Sequence, residues 1–183
     1  MKTIVMKMWL VVAAAITVTL TSCSDDDDNN TSGNNTSGSG KMIYSAEIEV
    51  SDDVLSLATV NLQEYGNSGL GAATQLTKTK YDWPKTITSY PAKVGLALSI
   101  EPKKNQELTK EKYDITVVYK VTMKDEKGNI KGAGAGVYEK LSGVPAARVL
   151  GVLKKIKENL TNQKALIDFT SASKFTPRSK SEL

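Results

Sequence analysis

The residues able to do chemistry in this chain are few. Cys23 is its single thiol, and there is no histidine. A thiolate is a nucleophile and an acceptor of acyl or alkyl groups. Without histidine, Ser-His and Cys-His relays are excluded, as is the commonest metal ligand. One cysteine rules out an intramolecular disulfide, and an ordinary zinc site lacks its ligands. No metal or other cofactor is expected.

Three spacings resemble catalytic motifs and fail on context. Ser171-Ala172-Ser173-Lys174 fits S-x-x-K, but neither S-D-N nor K-T-G occurs anywhere. Gly132-Ala133-Gly134-Ala135-Gly136 looks like a phosphate-cradling loop. The dinucleotide pattern would need glycine where Val137 stands, and the Gly-Lys-Ser/Thr of a P-loop is absent. Glycines at alternate strand positions instead leave one face bare for close approach by another element, with the helix at 145–160 as the candidate. Glu47 with Glu49 and Asp52 with Asp53 are neighbours on a strand or turn. A glycosidase needs two carboxylates facing each other across a cleft, which adjacency does not provide. The reading is therefore not an enzyme.

Aromatic residues gather at Tyr81-Asp82-Trp83-Pro84 and Tyr90-Pro91. Exposed on loops, Tyr81, Trp83 and Tyr90 would offer apolar ring faces for stacking on a sugar. Buried, Trp83 would plug one end of the fold. These three are the candidate ligand-binding residues.

The N-terminus carries the strongest signal. Lys2 and Lys7 precede an uncharged, mostly apolar run from Met8 to Leu20. That run is too short to span a bilayer and suits the apolar core of a signal peptide over residues 1–22. Leu20-Thr21-Ser22-Cys23 resembles the lipobox of bacterial lipoproteins. The resemblance implies cleavage before Cys23, a diacylglycerol on its sulfur and an acylated amine. Buried acyl CH₂ groups contribute about 0.8 kcal/mol each, so two or three chains give a nearly permanent anchor. Ser24 followed by Asp25 to Asp28 is similar to the surface-export signal of lipoproteins of the Bacteroidetes group. This implies an outer-membrane location, at the cell surface. Asn29 to Gly40 contains only Asn, Thr, Ser and Gly. Residues 23–40 therefore read as a lipidated cysteine and a disordered tether.

Residues 41–183 remain for one domain. Setting aside Lys2, Lys7 and Asp25 to Asp28 leaves 22 basic and 16 acidic side chains. The cations are scattered and nearly all lysine, with only Arg148 and Arg178 as arginines, which argues against a nucleic-acid partner. The partners expected are the membrane, through covalent lipid, and a glycan or an envelope protein.

Period-2 alternation dominates this domain. Tyr44, Ala46, Ile48 and Val50 share one strand face. So do Val94, Leu96, Leu98 and Ile100, and the odd residues from Tyr113 to Met123. The polar turn at 124–129 predicts a hairpin into a strand over 130–138. Residues 54–65 suit either helix or strand, and strand is preferred. Val149, Val152, Leu153, Ile156 and Leu160 predict an amphipathic helix over 145–160. A last strand is expected over 165–170 and a tail from Phe175. The fold class is mainly β: an antiparallel β-sandwich, immunoglobulin-like by analogy, with one C-terminal amphipathic helix. Its function is expected to be that of a non-catalytic binding or accessory module. The alternative is a structural subunit or stabiliser of an outer-membrane assembly.

Overall fold

Alternating side chains bury one face of each strand, and two such faces meet here. The computed structural model describes residues 40–104 and 106–183. The signal segment, Cys23 and the tether to residue 39 lie outside the described residues.

The elements run β1 (Met42–Val50), α1 (Asp52–Leu57), β2 (Ala58–Gly66), β3 (Gly69–Leu70), β4 (Thr74–Gln75), β5 (Lys80–Ile87), β6 (Ala92–Pro102), β7 (Lys112–Asp125), β8 (Ile130–Pro145), α2 (Ala146–Thr161), β9 (Leu166–Phe169) and β10 (Phe175–Arg178). One antiparallel sheet has the order β5-β1-β7-β8. The other has the order β10-β9-β6-β2-β3, with β4 also on β2. Together they form a β-sandwich with one long helix. The layer architecture is the one expected from the sequence.

Tyr44, Ala46 and Ile48 of β1, Val60 of β2, Leu96 and Ile100 of β6 and Ile115 and Val117 of β7 are all buried between the sheets. Two buried hydroxyls cross that core. Tyr44 donates to the Ala165 carbonyl at 2.7 Å and accepts the Leu96 N–H at 3.4 Å. Tyr119 donates to the Leu96 carbonyl. Both tyrosines thus tie the first sheet to the second. Satisfying these buried polar groups avoids the penalty of leaving them unpaired.

Helix α2 buries Val149, Leu153, Ile156 and Leu160, the stripe read from its spacing. Full burial of each aliphatic side chain contributes about 1.5–3 kcal/mol. The helix lies against β6, β8 and β7, closing one side of the sandwich. The helix starts at Ala146, with Pro145 as its N-cap.

Two expectations are corrected. Residues 54–57 belong to a helix, and the strand begins at Ala58. Ser51 Oγ accepts the Val54 N–H at 3.4 Å and so caps α1. Val54 and Leu57, one helical turn apart, both enter the core. The C-terminal segment is not a tail. Strand β10 pairs with β9, and Ser179 behind it is buried.

The hairpin was legible. Asp125 accepts the N–H groups of Lys127 and Asn129 at 3.0 and 2.8 Å, and Gly128 takes φ +82°. Within β8, Tyr119 pairs with Val137 and Lys120 with Ala135, so Gly136 is the extra residue of a β-bulge. A Cβ there would sit 2.5 Å from Tyr119 Cδ1 and 3.1 Å from Gln163 Cγ. The bare glycine therefore admits the Tyr119 ring and Gln163, which follows α2, while α2 itself lies against β8.

Candidate functional site

Trp83 and Tyr81 lie on β5, an edge strand and not a loop. Pairing of Ile48 with Tyr81 and Ala46 with Trp83 turns both rings toward the gap between the sheets. Both are half-buried against the core. The Trp83 ring meets Tyr44 edge-on, with centroids 5.7 Å apart and planes at 76°. Its indole N–H donates to Glu64 Oε1 at 3.2 Å. That bond links the edge strand of one sheet to β2 of the other. It fixes the indole N–H while Tyr44 packs against the ring.

Two clefts flank this contact, of about 440 Å³ and 400 Å³. Tyr81 lines the first, with Leu62, Leu76, Thr74, Gln75 and Thr77. Trp83 lines the second, with Asn67, Ser68, Lys85, Thr86 and Ser89. Glu64 and Gly71 border both. The walls thus combine aromatic rings with hydroxyl and amide side chains. Lys85 Nζ stands 6.0 Å from the Trp83 ring centroid, a cation–π distance.

Tyr90 is elsewhere. Its ring tilts against Phe169 at 5.9 Å, and its hydroxyl donates to the Gly40 carbonyl at 2.8 Å. It fastens the chain where it enters the domain. The structure brings Tyr81 and Trp83 together and leaves Tyr90 apart; Cys23 lies outside the described residues.

Glu64 was missed by sequence reading. A signal existed: Val60, Leu62 and Glu64 occupy one row of β2, and an acid ends that apolar row. With residues 54–65 ambiguous between helix and strand, the row could not be assigned a face.

The remaining motifs resolve into structure. Ser171 Oγ accepts the backbone N–H of Lys174 at 3.2 Å and meets Ser173 Oγ at 3.3 Å, forming a tight turn before β10. Glu49 pairs with Lys140 at 3.3 Å. Asp53 accepts Lys110 Nζ at 2.5 Å and the Asp114 N–H at 2.7 Å. Burial works to raise the Asp53 carboxyl, but the Lys110 and Asp114 donors outweigh it and hold it below the usual carboxylate value. Burial pushes the Tyr44 hydroxyl up to about 12, and pushes Tyr119 up as well. Among the described residues Glu64 is the one carboxylate on either cleft wall. Among the described residues no three metal-ligating side chains gather, and no helix is long and apolar enough to cross a membrane. Searches against protein-family models, curated proteins and solved structures give no match.

Proposed function

We propose that this chain is a lipid-anchored surface module whose head binds a glycan along β5, with Tyr81 and Trp83 as the stacking platforms. The anchor reading rests on the lipobox resemblance at Cys23. The ligand reading rests on one observation: Trp83 is pinned by Tyr44 and Glu64 on the wall of one cleft, and Glu64 borders the neighbouring cleft as well. A ring already held in place loses little conformational entropy when a ligand stacks on it. Sugars present apolar C–H faces to such rings and hydroxyls to the surrounding amide and hydroxyl groups. Glu64 borders both clefts, and its carboxylate supplies an acceptor for a sugar hydroxyl.

The second reading, a subunit of an envelope assembly, is favoured by the edge of β5, which among the described residues pairs only with β1. An unpaired edge can accept a strand from a partner. Pro84 counts against it, since a proline in an edge strand removes a donor and blunts pairing.

The test is titration of the mature chain with a panel of soluble polysaccharides, followed by intrinsic fluorescence. Signal cleavage would remove Trp9 and leave Trp83 as the only tryptophan. A glycan that shifts Trp83 emission and loses at least about tenfold in affinity in Trp83→Ala supports the proposal. Binding that is indifferent to Trp83→Ala removes β5 as the site. Silence across the panel, with an envelope protein retained in a pull-down from intact cells, favours the assembly reading.

A further inference from the structure

The two ends of the sandwich differ in charge, and the chain enters at the basic one. Gly40 lies at the end formed by the start of β1, the β7–β8 hairpin, the loop into β6 and the β9–β10 turn. The Met42–Asp125, Met42–Ile87 and Ala92–Phe169 pairs place these segments at one level. Gly40 itself sits beside Tyr90 and Ala172. Lys41, Lys93, Lys124, Lys127, Lys131 and Lys174 surround this end, all exposed. The carboxylates among them are Asp125 and Glu126, and Asp125 is occupied by turn amides and by Lys131 at 3.5 Å. Asp168, nearby, is held by Tyr65 at 2.6 Å and Arg178 at 3.2 Å. At the opposite end acids are interspersed with bases: Asp53 holds Lys110, Glu111 and Asp114 flank Lys112 along the chain, and Asp52 lies in α1.

The basic end also carries an apolar tip. Ile130, in the hairpin between Lys127 and Lys131, is 63% exposed, more than any other large apolar side chain among the described residues. Water gains nothing from such a side chain, whereas a lipid interface accepts one apolar residue flanked by lysines that reach back to the headgroups. The attachment point adds direction. Cys23 precedes Gly40 by seventeen residues, so a lipid on Cys23 would keep this end the nearest to the bilayer.

We infer that this end of the head is a docking face for an anionic lipid surface, with Ile130 entering the interface and the lysine ring meeting lipid phosphates. This rests on the anchored reading for its biological setting but not for its measurement. With this end down, β5 and its clefts open sideways, parallel to the membrane, and α1 points away from it.

The experiment removes the anchor and asks what the head does alone. The chain from position 23 to Leu183, carrying Cys23→Ser, is sedimented with vesicles of phosphatidylglycerol or of phosphatidylcholine. Retention on the anionic vesicles at about 50 mM salt is expected, with loss near 1 M, where screening shortens to about 3 Å. Two variant pairs, Lys127→Glu with Ile130→Asn and Lys41→Glu with Lys174→Glu, each weaken retention at least about tenfold. Lys154→Glu with Lys155→Glu on the exposed face of α2 leaves it unchanged. Circular dichroism of every variant establishes that the fold persists. Equal retention on both lipids, no retention on either, or an equal loss in the α2 pair overturns the docking face. None of these touches the anchor reading, which the acyl mass on Cys23 of the wild-type mature chain tests separately.

Discussion

The indole nitrogen of Trp83 lies 3.2 Å from Glu64 Oε1, and that one bond joins the edge strand of the first sheet to the second sheet's β2. It divides the work of the ring. Trp83→Phe keeps the edge-on contact with Tyr44 and loses the bond, at a cost of about 1 kcal/mol. Trp83→Ala loses both, at about 3 kcal/mol. Urea denaturation of the two variants checks the ordering. Equal losses would mean the ring's packing contributes little and the bond to Glu64 carries the site.

Glu64→Gln separates charge from shape at the same place. The amide oxygen still accepts from Trp83, so stability changes by less than about 1 kcal/mol. A neutral glycan binds Glu64→Gln within a few fold of wild type, because a carbonyl oxygen still accepts a hydroxyl. Loss of the ligand on this substitution, measured by calorimetry, would show that the clefts select a cation instead.

Tyr44 and Tyr119 make the core sensitive to alkali. Burial raises the Tyr44 hydroxyl to about 12 in the folded protein, against about 10 when unfolded. Between these values the unfolded chain releases a proton that the native state keeps. Stability is therefore complete below pH 10 and falls as pH rises through 12. Tyr44→Phe leaves the Ala165 carbonyl without its donor, costing about 1–3 kcal/mol at neutral pH, and flattens the alkaline limb. Because both hydroxyls meet the Leu96 backbone, Tyr44→Phe and Tyr119→Phe are expected to combine non-additively in a double-mutant cycle.

What the sequence disclosed follows the same logic. Tyr44 to Val50, Val94 to Ile100 and the row from Tyr113 to Met123 alternate without interruption, and strands with one wholly apolar face must bury it against another layer. The stripe of α2 and the Asp125–Asn129 turn were equally local. Strand β5 was not local. Lys80 to Ile87 has its row of Tyr81, Trp83 and Ile87 broken at Lys85 and contains Pro84, and its pairing is supplied by β1, some forty residues earlier. Residues 54–65 were obscured for a different reason. Val54 and Leu57 fit a helical turn, while Val60 and Leu62 fit a strand, and the switch at Ala58 falls inside one reading window. The candidate site inherits both gaps, because Trp83 sits on the first and Glu64 at the end of the second. Tyr90, singled out with them as an aromatic, is tied to Gly40, a contact across fifty residues that spacing cannot reveal.

Asp53 gives the acid counterpart. Its carboxyl is lowered on balance, the Lys110 and Asp114 donors outweighing burial. A lowered folded value means stability that is present above the ordinary carboxylate range and lost as pH falls through the folded one. Asp53→Asn retains an acceptor for the Asp114 N–H but forfeits the charge, so the loss is about 1 kcal/mol or less at pH 7 and vanishes at pH 2. Thermal melts at both pH values read this directly; an equal loss at both would place the effect in packing.

Two glycines separate close approach from mere tolerance. A methyl on Gly136 would meet Tyr119 Cδ1 at 2.5 Å and the Tyr119 carbonyl at 3.0 Å, and neither atom is the far end of a flexible chain. Tyr119 cannot retreat without releasing the Leu96 carbonyl it holds across the core. Gly136→Ala therefore destabilises by about 1–3 kcal/mol through overpacking. Gly151 lies on the exposed side of α2 with nothing within 4 Å of the added carbon. There alanine removes backbone freedom from the unfolded chain and improves helix propensity, so Gly151→Ala stabilises by about 0.5–1 kcal/mol. Opposite signs in urea midpoints for one chemical change would establish that the bulge in β8 is shaped by the Tyr119 ring. A neutral Gly136→Ala would mean that the bulge can shift and that the hydroxyl crossing the core does not depend on it.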